Sequence, residues 1–401
     1  MWPRETSRAR LVNVKSVAFC LALVISPAFA QRWTVQYFYD EDRATLELED
    51  LAFPSAQRGI AVGTIHGEFG AASKSKFTIL GSSDGGEHWT LKPLPDHPRS
   101  LFFLNDQMGW MVTDDAVWLT GDSGETWKKI SEQKKPDSKL KPKPTGGLIL
   151  RVWFLDPNHG FAVGLQKTML ETHDGGHQWT PVADSLKPES NPAFTAYTRI
   201  AFDGPTLGFV MGGSSPPRPG DDRQLPSWLD PQKAINRVQV PNLTLLLQTT
   251  DGGATWHAST SPLFGVVGSL RVARPDGLIV MGFNESFTWP SEVHHFSLKD
   301  GKTTLVFREK NLRVTDSALF PGPRGFLAAV EPPGQLNSAP IPGKVRMLTS
   351  SDLSDWKEMN VDYKAVARSL ILAGPDADHL WAATDTGMIL HLVPDNLGRA
   401  R

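Results

Sequence analysis

Short apolar segments recur in pairs along the whole chain. In a typical pair an apolar segment at residues 51–53 is followed, after a polar turn, by a glycine and a second apolar segment at residues 59–63. The segments are too short for helices and rich in residues that favour extended structure, so they predict buried β-strands. Seven such pairs occur, in six of which the second segment begins with Gly: residues 51–63, 101–112, 152–164, 200–212, 270–280, 318–328 and 370–383.

A second repeated motif follows four of these strand pairs. In the first copy, Ser82 precedes Asp84 by two positions, Gly86 follows Asp84 by two and Trp89 follows it by five. Short polar side chains can bond the amides of a tight turn, and glycine permits positive φ, so the motif predicts a structural turn rather than a catalytic or calcium-binding site. The four copies contain Asp84 and Trp89, Asp122 and Trp127, Asp174 and Trp179, and Asp251 and Trp256. A fifth copy, at residues 350–356, is degenerate.

The repeats predict an all-β fold, a single seven-bladed β-propeller over residues 31–401. Their spacing of about 50 residues is typical of four-stranded propeller blades. The last repeat has a third strand at residues 387–392 but no box motif after it, whereas residues 32–37 have the composition of the missing fourth strand. We therefore expect the N-terminal strand to complete the last blade and leave no free sheet edge.

Residues 1–30 predict a cleaved signal peptide. Basic residues precede an apolar run at 17–25, and small residues follow at the −3 and −1 positions of a cleavage site after Ala30. This order is typical of a secretory signal, and the run is too short for a mature membrane span. An uncleaved anchor is the alternative, whereas a lipoprotein signal cleaved at Cys20 is rejected because apolar residues continue past it. We expect an exported protein, periplasmic or secreted, without a membrane span after cleavage.

Composition narrows the classes of function. The 401 residues include one Cys and carry a formal net charge of −2. A single Cys excludes a disulfide framework and a Cys-rich metal site, and the balanced charge gives no reason to expect nucleic acid as a partner. The sequence contains no phosphate-binding glycine loop, metal-ligand motif or serine-nucleophile elbow. We therefore expect no cofactor and no bound metal. We also expect a monomer.

The box motifs, the glycine-initiated strands and the export signal resemble the Asp-box, or BNR-like, propellers. Within that group the chain is similar to the photosystem II assembly/stability factor type and its bacterial relatives, and the resemblance covers nearly all of residues 31–401. It implies an exported, non-catalytic scaffold that binds another protein or a peptide.

Long insertions indicate one face for binding. Because the strands of a blade alternate in direction, the boxes fall on one face and the insertions on the other. Variable loops on a rigid scaffold commonly carry recognition, and solvated decoration is the alternative. The insertions are residues 64–75, 131–147, 181–196, 213–242, 284–292 and 331–343. Two of them supply candidate interface residues, namely Arg218, Arg223, Trp228 and Trp289.

A second candidate site is a ring at the mouth of the axial channel. Four arginines each precede the first apolar strand of a repeat, and the same position in two other repeats is acidic. These residues are Arg99, Arg151, Arg199 and Arg368, with Asp50 and Asp316. Because first strands line the channel of a propeller, such a ring could grip a carboxylate or an acidic peptide through bidentate hydrogen bonds. An internal salt-bridge network is the alternative.

A glycoside hydrolase or a carbohydrate-binding propeller is the competing function, because Asp boxes also occur in sialidases and other glycosidases. A sialidase would need three arginines and a tyrosine nucleophile, and Tyr197 and Tyr363 precede first strands. A two-carboxylate glycosidase could use two of the residues Asp50, Asp316, Asp221, Asp222 and Glu285. No flanking motif of the sialidases is present in the sequence.

Overall fold

A computed structural model describes residues 31–41, 44–67, 75–133, 142–215, 242–283, 288–332, 334–336 and 339–394. Within these ranges the regular structure is β-strand, apart from two short 3-10 helices at Ala183–Leu186 and Pro192–Phe194. None of the helices in the described ranges has the length and apolarity needed to cross a membrane. The predicted all-β class is confirmed.

Five separate sheets each contain four strands that follow one another in chain order. We call them units one to five. Their strands are β2 (Thr45–Ala52), β3 (Gly59–His66), β4 (Lys76–Ser82) and β5 (Thr90–Leu94); β6 (Pro98–Phe103), β7 (Gly109–Thr113), β8 (Ala116–Thr120) and β9 (Lys128–Glu132); β10 (Ile149–Phe154), β11 (Gly160–Gly164), β12 (Met169–Thr172) and β13 (Thr180–Pro181); β14 (Thr195–Asp203), β15 (Leu207–Ser214), β16 (Asn242–Thr249) and β17 (His257–Leu263); and β18 (Val266–Ala273), β19 (Asp276–Gly282), β20 (Ser291–Ser297) and β21 (Thr303–Phe307).

A larger sheet of nine strands completes the arrangement. Its path divides into unit six, β22-β23-β26-β27, and unit seven, β29-β30-β31-β1, and these two units join at β27 and β1. A short strand, β28, pairs with β26 beside this path, and β24 and β25 form a separate hairpin. The strands are β1 (Gln31–Phe38), β22 (Arg313–Phe320), β23 (Arg324–Val330), β24 (Gly334–Leu336), β25 (Ala339–Ile341), β26 (Gly343–Ser350), β27 (Lys357–Val361), β28 (Val366–Ala367), β29 (Leu370–Ala373), β30 (Trp381–Thr384) and β31 (Met388–Pro394).

The N-terminal strand closes the last unit, as predicted. β1 runs antiparallel to β31, with Trp33 opposite Leu392, and also meets β27 in a short parallel contact. Side chains of unit one, among them Leu46 and Leu48, share a core cluster with Trp381 and Ile389 of unit seven. The two ends of the chain of units are therefore packed together. The count of seven blades stays a prediction, because one continuous sheet carries the strands of the last two units.

The polar residues of each box motif form hydrogen bonds with one another. In the fourth copy the Thr249 hydroxyl donates to Asp251 at 2.7 Å and accepts from the Gly253 amide at 2.8 Å, while Asp251 also accepts from the Thr255 amide at 3.0 Å. Gly253 has a φ of +95°, which an L side chain rarely adopts. Hydrogen bonds from Thr255 hold the pKa of Asp251 down to about 2. The carboxylate thus serves the turn itself.

A β-bulge near the start of the first strand recurs in units one to six. The pairing register shifts by one residue there, for example between Leu48 and Asp50 and between Pro98 and Ser100. A one-residue shift turns a side chain to the opposite face of the strand. The bulge therefore changes which residue of each first strand faces inward. Beyond it, equivalent positions hold Asp50, Ser100, Arg151, Arg199, Ser269 and Asp316, with Ile371 in unit seven.

Candidate functional site

A cavity of about 580 Å³ lies against the first strands of all seven units. Its lining comes from β2, β6, β10, β14, β18, β22 and β29, so these strands surround the axial channel that the repeats predict. The lining carries three arginines and two aspartates, which we call the channel cluster: Asp50, Arg151, Arg199, Arg271 and Asp316. Glu49 also contributes to the lining, but its carboxylate accepts from Thr64 at 2.7 Å and lies 3.1 Å from His97.

Asp316 joins three successive units. One carboxylate oxygen accepts from the Leu372 amide of unit seven at 2.9 Å, and the other accepts from the Ser269 hydroxyl of unit five at 2.6 Å. Its own neighbour, Ser317, donates an amide at 2.8 Å. The Arg271 guanidinium completes the set, with Nη2 at 2.9 Å from the carboxylate. This buried carboxylate is therefore fully used by internal contacts.

Asp50 holds the equivalent position between units one and two. It accepts from the amides of Leu51 at 3.0 Å and Leu101 at 2.9 Å, and Nη1 of Arg151 lies 3.5 Å from it. Burial raises the pKa of the Asp50 carboxyl, against the lowering effect of Arg151 and the two amides. Asp50 and Asp316 thus both accept backbone amides from the neighbouring unit.

Arg199 carries a charge with no carboxylate partner among its described hydrogen bonds. Its guanidinium donates to the carbonyls of Gly268 and Thr198, each at 2.8 Å. Burial, together with the nearby Arg151, lowers the pKa of Arg199 to about 9. The group still carries a proton at neutral pH. The channel cluster thus contains three guanidinium groups and two carboxylates, and the third carboxylate of the lining, that of Glu49, is engaged by Thr64 and His97.

Arg151 is the arginine of the cluster with the weakest internal contact. Its described hydrogen bond is the 3.5 Å contact with Asp50, and 34% of its side chain is exposed to solvent in the channel. A guanidinium has five N–H donors in a planar fork, so most of this capacity is available to a ligand. The cluster can therefore receive an anionic group such as a carboxylate without first breaking a strong ion pair.

Two of the predicted ring residues lie elsewhere. Nε of Arg99 lies 2.5 Å from Asp114, and Nε of Arg368 lies 2.8 Å from Asp385. Neither arginine contributes to the lining of the channel cavity. In unit two the β-bulge places Ser100 rather than Arg99 at the inward position, and Arg368 precedes β29. The expectation of four arginines at the channel is therefore corrected to Arg151 and Arg199.

Arg271 is the channel residue that the sequence analysis missed. It follows Ser269 by two residues on β18, so the two side chains share one face of the strand. Its Nε donates to the Ser317 carbonyl at 2.6 Å, which directs the guanidinium along the channel wall towards Asp316. In the pairing of β18 with β19, Leu278 lies opposite Arg271. This register would have placed Arg271 at the channel.

The candidate loop residues are only partly described. Arg218, Arg223 and Trp228 lie outside the described residues. Trp289 borders a second, largely apolar cavity of about 630 Å³ between units four and five, and the Arg308 guanidinium stacks over its ring at 4.8 Å. The role of these four residues at an interface stays a prediction.

The tyrosines that a sialidase would need are not placed at the channel. Tyr197 is buried, and its hydroxyl donates to the Ser185 carbonyl at 2.6 Å. Burial raises the pKa of this phenol. Tyr363 is 79% exposed, and neither tyrosine lines the channel cavity. The contacts therefore do not favour the hydrolase alternative.

Comparison with known proteins supports the same architecture. A family model described as photosynthesis system II assembly factor YCF48 matches residues 139–215. The photosystem II assembly lipoprotein Ycf48 of Synechococcus sp. (strain CC9902) is 32% identical over 162 residues, which are 37% of this chain and 44% of the relative. The photosystem II assembly protein Ycf48 of Thermosynechococcus vestitus is 25% identical over 270 residues, 62% of this chain and 70% of the relative. The chain thus covers less than half of the first relative.

Among solved structures, the one titled YCF48 bound to D1 peptide has a TM-score of 0.54 at 16% identity, covering 89% of this chain and 99% of that one. At this identity the likeness concerns the fold. Together the strand topology and these matches confirm an Asp-box β-propeller that resembles the photosystem II assembly factors.

Proposed function

We propose that the chain is an exported, non-catalytic propeller scaffold that binds a segment of another protein, as an assembly factor does. The proposal is supported by the resemblance to proteins named for photosystem II assembly and by the solved relative whose title describes a bound D1 peptide. The observation that carries it is the channel cluster, where Arg151 has only a weak internal contact and Arg199 donates to carbonyls, whereas the two aspartates already accept backbone amides.

The ligand that suits this channel is an extended peptide with a carboxylate. A cavity of about 580 Å³ accommodates a few residues rather than a folded domain. Arg151 and Arg199 offer planar donors that match a carboxylate, and water is partly excluded, which strengthens the interaction. A C-terminal carboxylate or an acidic side chain would accept hydrogen bonds from these guanidinium groups. Both are chemically equivalent at this site.

Export is part of the proposal. Some relatives are named lipoproteins, such as that of Synechococcus sp. (strain CC9902), whereas that of Thermosynechococcus vestitus is not. The predicted signal at residues 1–30, including Cys20, lies outside the described residues. A location on the exported side of a membrane is consistent with those names. Periplasmic or secreted location and a monomeric state stay predictions.

The test compares two double variants that remove the same charge. Arg151→Gln with Arg199→Gln removes two channel arginines, whereas Arg99→Gln with Arg368→Gln removes two that lie outside the channel. The probe is a fluorescein-labelled decapeptide of Ala and Asp with a free C-terminal carboxylate. Its amidated Asn-containing counterpart carries the same label and is the reference without peptide carboxylates. Binding is followed by fluorescence anisotropy at fixed ionic strength.

We expect the channel pair to weaken binding of the acidic peptide by about tenfold or more, because hydrogen bonds to charged groups contribute about 1.5–3 kcal/mol each. The outer variant should bind within about twofold of the unmodified chain, because the two charges that it removes lie outside the cavity lining and salt screens their long-range effect. Equal losses in both variants, or no preference for the acidic over the reference peptide, would contradict the proposed site. Capture from the exported fraction with the same variants then identifies the partner.

A further inference from the structure

Three potential metal ligands meet at one end of unit three, away from the channel. His159 directly precedes β11, Glu171 lies in β12, and His173 follows β12. The ladder pairs Phe161 with Glu171 and Gly160 with Thr172. One step further along this register places His159 beside His173. Glu171 and His173 are two residues apart on an extended chain, so they share a face.

The ligand atoms converge. Nε2 of His159 lies 2.9 Å from Oε1 of Glu171, and Nε2 of His173 lies 3.4 Å from the same oxygen. All three atoms lie within 4.8 Å of one another, and the imidazole rings stack with centroids 4.8 Å apart. His159 and Glu171 are mostly buried, whereas His173 is 70% exposed. Two ligands are thus held firmly and the third can adjust by side-chain rotation.

The turn that carries His159 is itself rigid. Asp156 accepts the backbone amides of Asn158 and His159, at 2.8 and 2.9 Å. Together with the paired strands, this turn fixes the backbone of the ligands, which favours metal binding because little ordering is needed. A second group, Asp84 with Glu87 and His88, differs because Asp84 is already used by its own box turn.

We propose that His159, Glu171 and His173 bind one late first-row divalent cation, for which Zn²⁺ is the probe. Two imidazoles and a carboxylate are ligands that Zn²⁺ takes at about 2.0–2.2 Å, which separates neighbouring ligand atoms by about 3.3 Å in a tetrahedron. The distances of 2.9 and 3.4 Å are close to that separation. At least one coordination position would stay open for water or for a group of a partner protein.

The sequence analysis predicted no metal site because these residues form no compact motif. Glu171 and His159 are twelve positions apart, and only the antiparallel pairing of β11 with β12 brings them together. The site lies at the end of the strands where the third box turn begins, since His173 directly precedes Asp174. By strand direction this is the face opposite the insertions. The proposal is independent of peptide binding in the channel.

The experiment uses the full chain without an affinity tag, freed of metal with EDTA and dialysed. Zn²⁺ is titrated in competition with a chromogenic chelator, and Co²⁺ is added separately to record its visible absorption. The variants are His159→Gln, Glu171→Gln and His173→Gln. The matched control is His177→Gln, which removes another exposed histidine from the same box turn. Urea unfolding of each variant reports whether the fold is kept.

We expect one Zn²⁺ per chain, a Co²⁺ spectrum of low-symmetry coordination, and a loss of affinity of about tenfold or more on removal of any of the three ligands. His177→Gln should bind like the unmodified chain. Because the His173 side chain is exposed, we expect His173→Gln to stay folded, so its Zn²⁺ affinity tests the proposal even if His159→Gln unfolds. Unchanged affinity in His173→Gln, an equal loss in His177→Gln, or no stoichiometric binding by the unmodified chain would overturn the proposal.

Discussion

Replacing Asp316 by Asn should weaken the junction between units five, six and seven. The carboxylate receives amides from Ser317 and Leu372 on different oxygens, as well as the Ser269 hydroxyl and the Arg271 guanidinium. Asn keeps the shape but has one acceptor oxygen and one NH₂ group. Whichever way the amide is oriented, its NH₂ group faces a donor that needs an acceptor.

The magnitude follows from these contacts. Leaving one buried amide without an acceptor costs about 1–3 kcal/mol. Loss of the ion pair with Arg271 adds about 1 kcal/mol at most, because 38% of that side chain is exposed and solvent screens the charge. The expected loss in the free energy of unfolding is therefore about 1–4 kcal/mol.

The assay is equilibrium unfolding in urea at pH 7, followed by tryptophan fluorescence and evaluated from the midpoint and the slope. The matched control is Asp378→Asn, whose carboxylate is 68% exposed and pairs with Arg324 at 3.0 Å on the surface. This control should lose about 0.5 kcal/mol or less. In a double-mutant cycle, Arg271→Gln with Asp316→Asn should lose less than the sum of the single variants, because they share one contact.

A loss below about 1 kcal/mol for Asp316→Asn, or one equal to that of Asp378→Asn, would show that this carboxylate does not hold the units together. Strict additivity with Arg271→Gln would show that the pair is not energetically coupled. Either result would contradict the role of Asp316 in joining the units, and its carboxylate could then bind a ligand.

Three further predictions concern buried contacts. Burial against Trp381 lowers the pKa of His391 from 6.5 to about 4, so the folded state binds this proton less readily than the unfolded state. The free energy of unfolding should therefore fall by about 1–2 kcal/mol as the pH drops from 6.5 to 4, and urea unfolding across this range should show a weaker pH dependence in His391→Gln. Thr249→Val removes the acceptor of the buried Gly253 amide and should lower the free energy of unfolding by about 1–3 kcal/mol in the same assay. An unchanged midpoint would show that this hydrogen bond does not stabilise the fold. Trp110→Phe removes a fully buried indole whose N–H donates to a carbonyl of the third box at 2.9 Å, with an expected loss of about 2–4 kcal/mol measured by thermal and urea unfolding.

The box turns could be predicted in detail because their contacts are local. Ser82, Asp84 and Gly86 bond within five residues of one another, and the same bonds recur at Thr249, Asp251 and Gly253 in unit four. Antiparallel strand pairs joined by short turns are local in the same sense. Closure by the N-terminal strand is distant in sequence, yet it could be predicted because the last repeat lacked a fourth strand.

The channel was predicted less well because side-chain direction depends on register. Arg99 and Arg368 share a sequence context with Arg151 and Arg199, but their side chains lie outside the cavity. Spacing within one strand does not reveal a β-bulge, which follows from how that strand pairs with its neighbour. Arg271 was missed for the same reason.

Sequence by itself thus determined the class of fold, the repeats, their turns and the strand that closes the last unit. These rest on hydrophobic periodicity and on hydrogen bonds between residues close along the chain. Tertiary structure alone decided that Asp50 and Asp316 fasten neighbouring units, that Arg271 joins the channel cluster, and that two histidines meet a glutamate at the end of unit three. Those arrangements depend on strand register and on packing between sheets, which bring together side chains that no short motif connects.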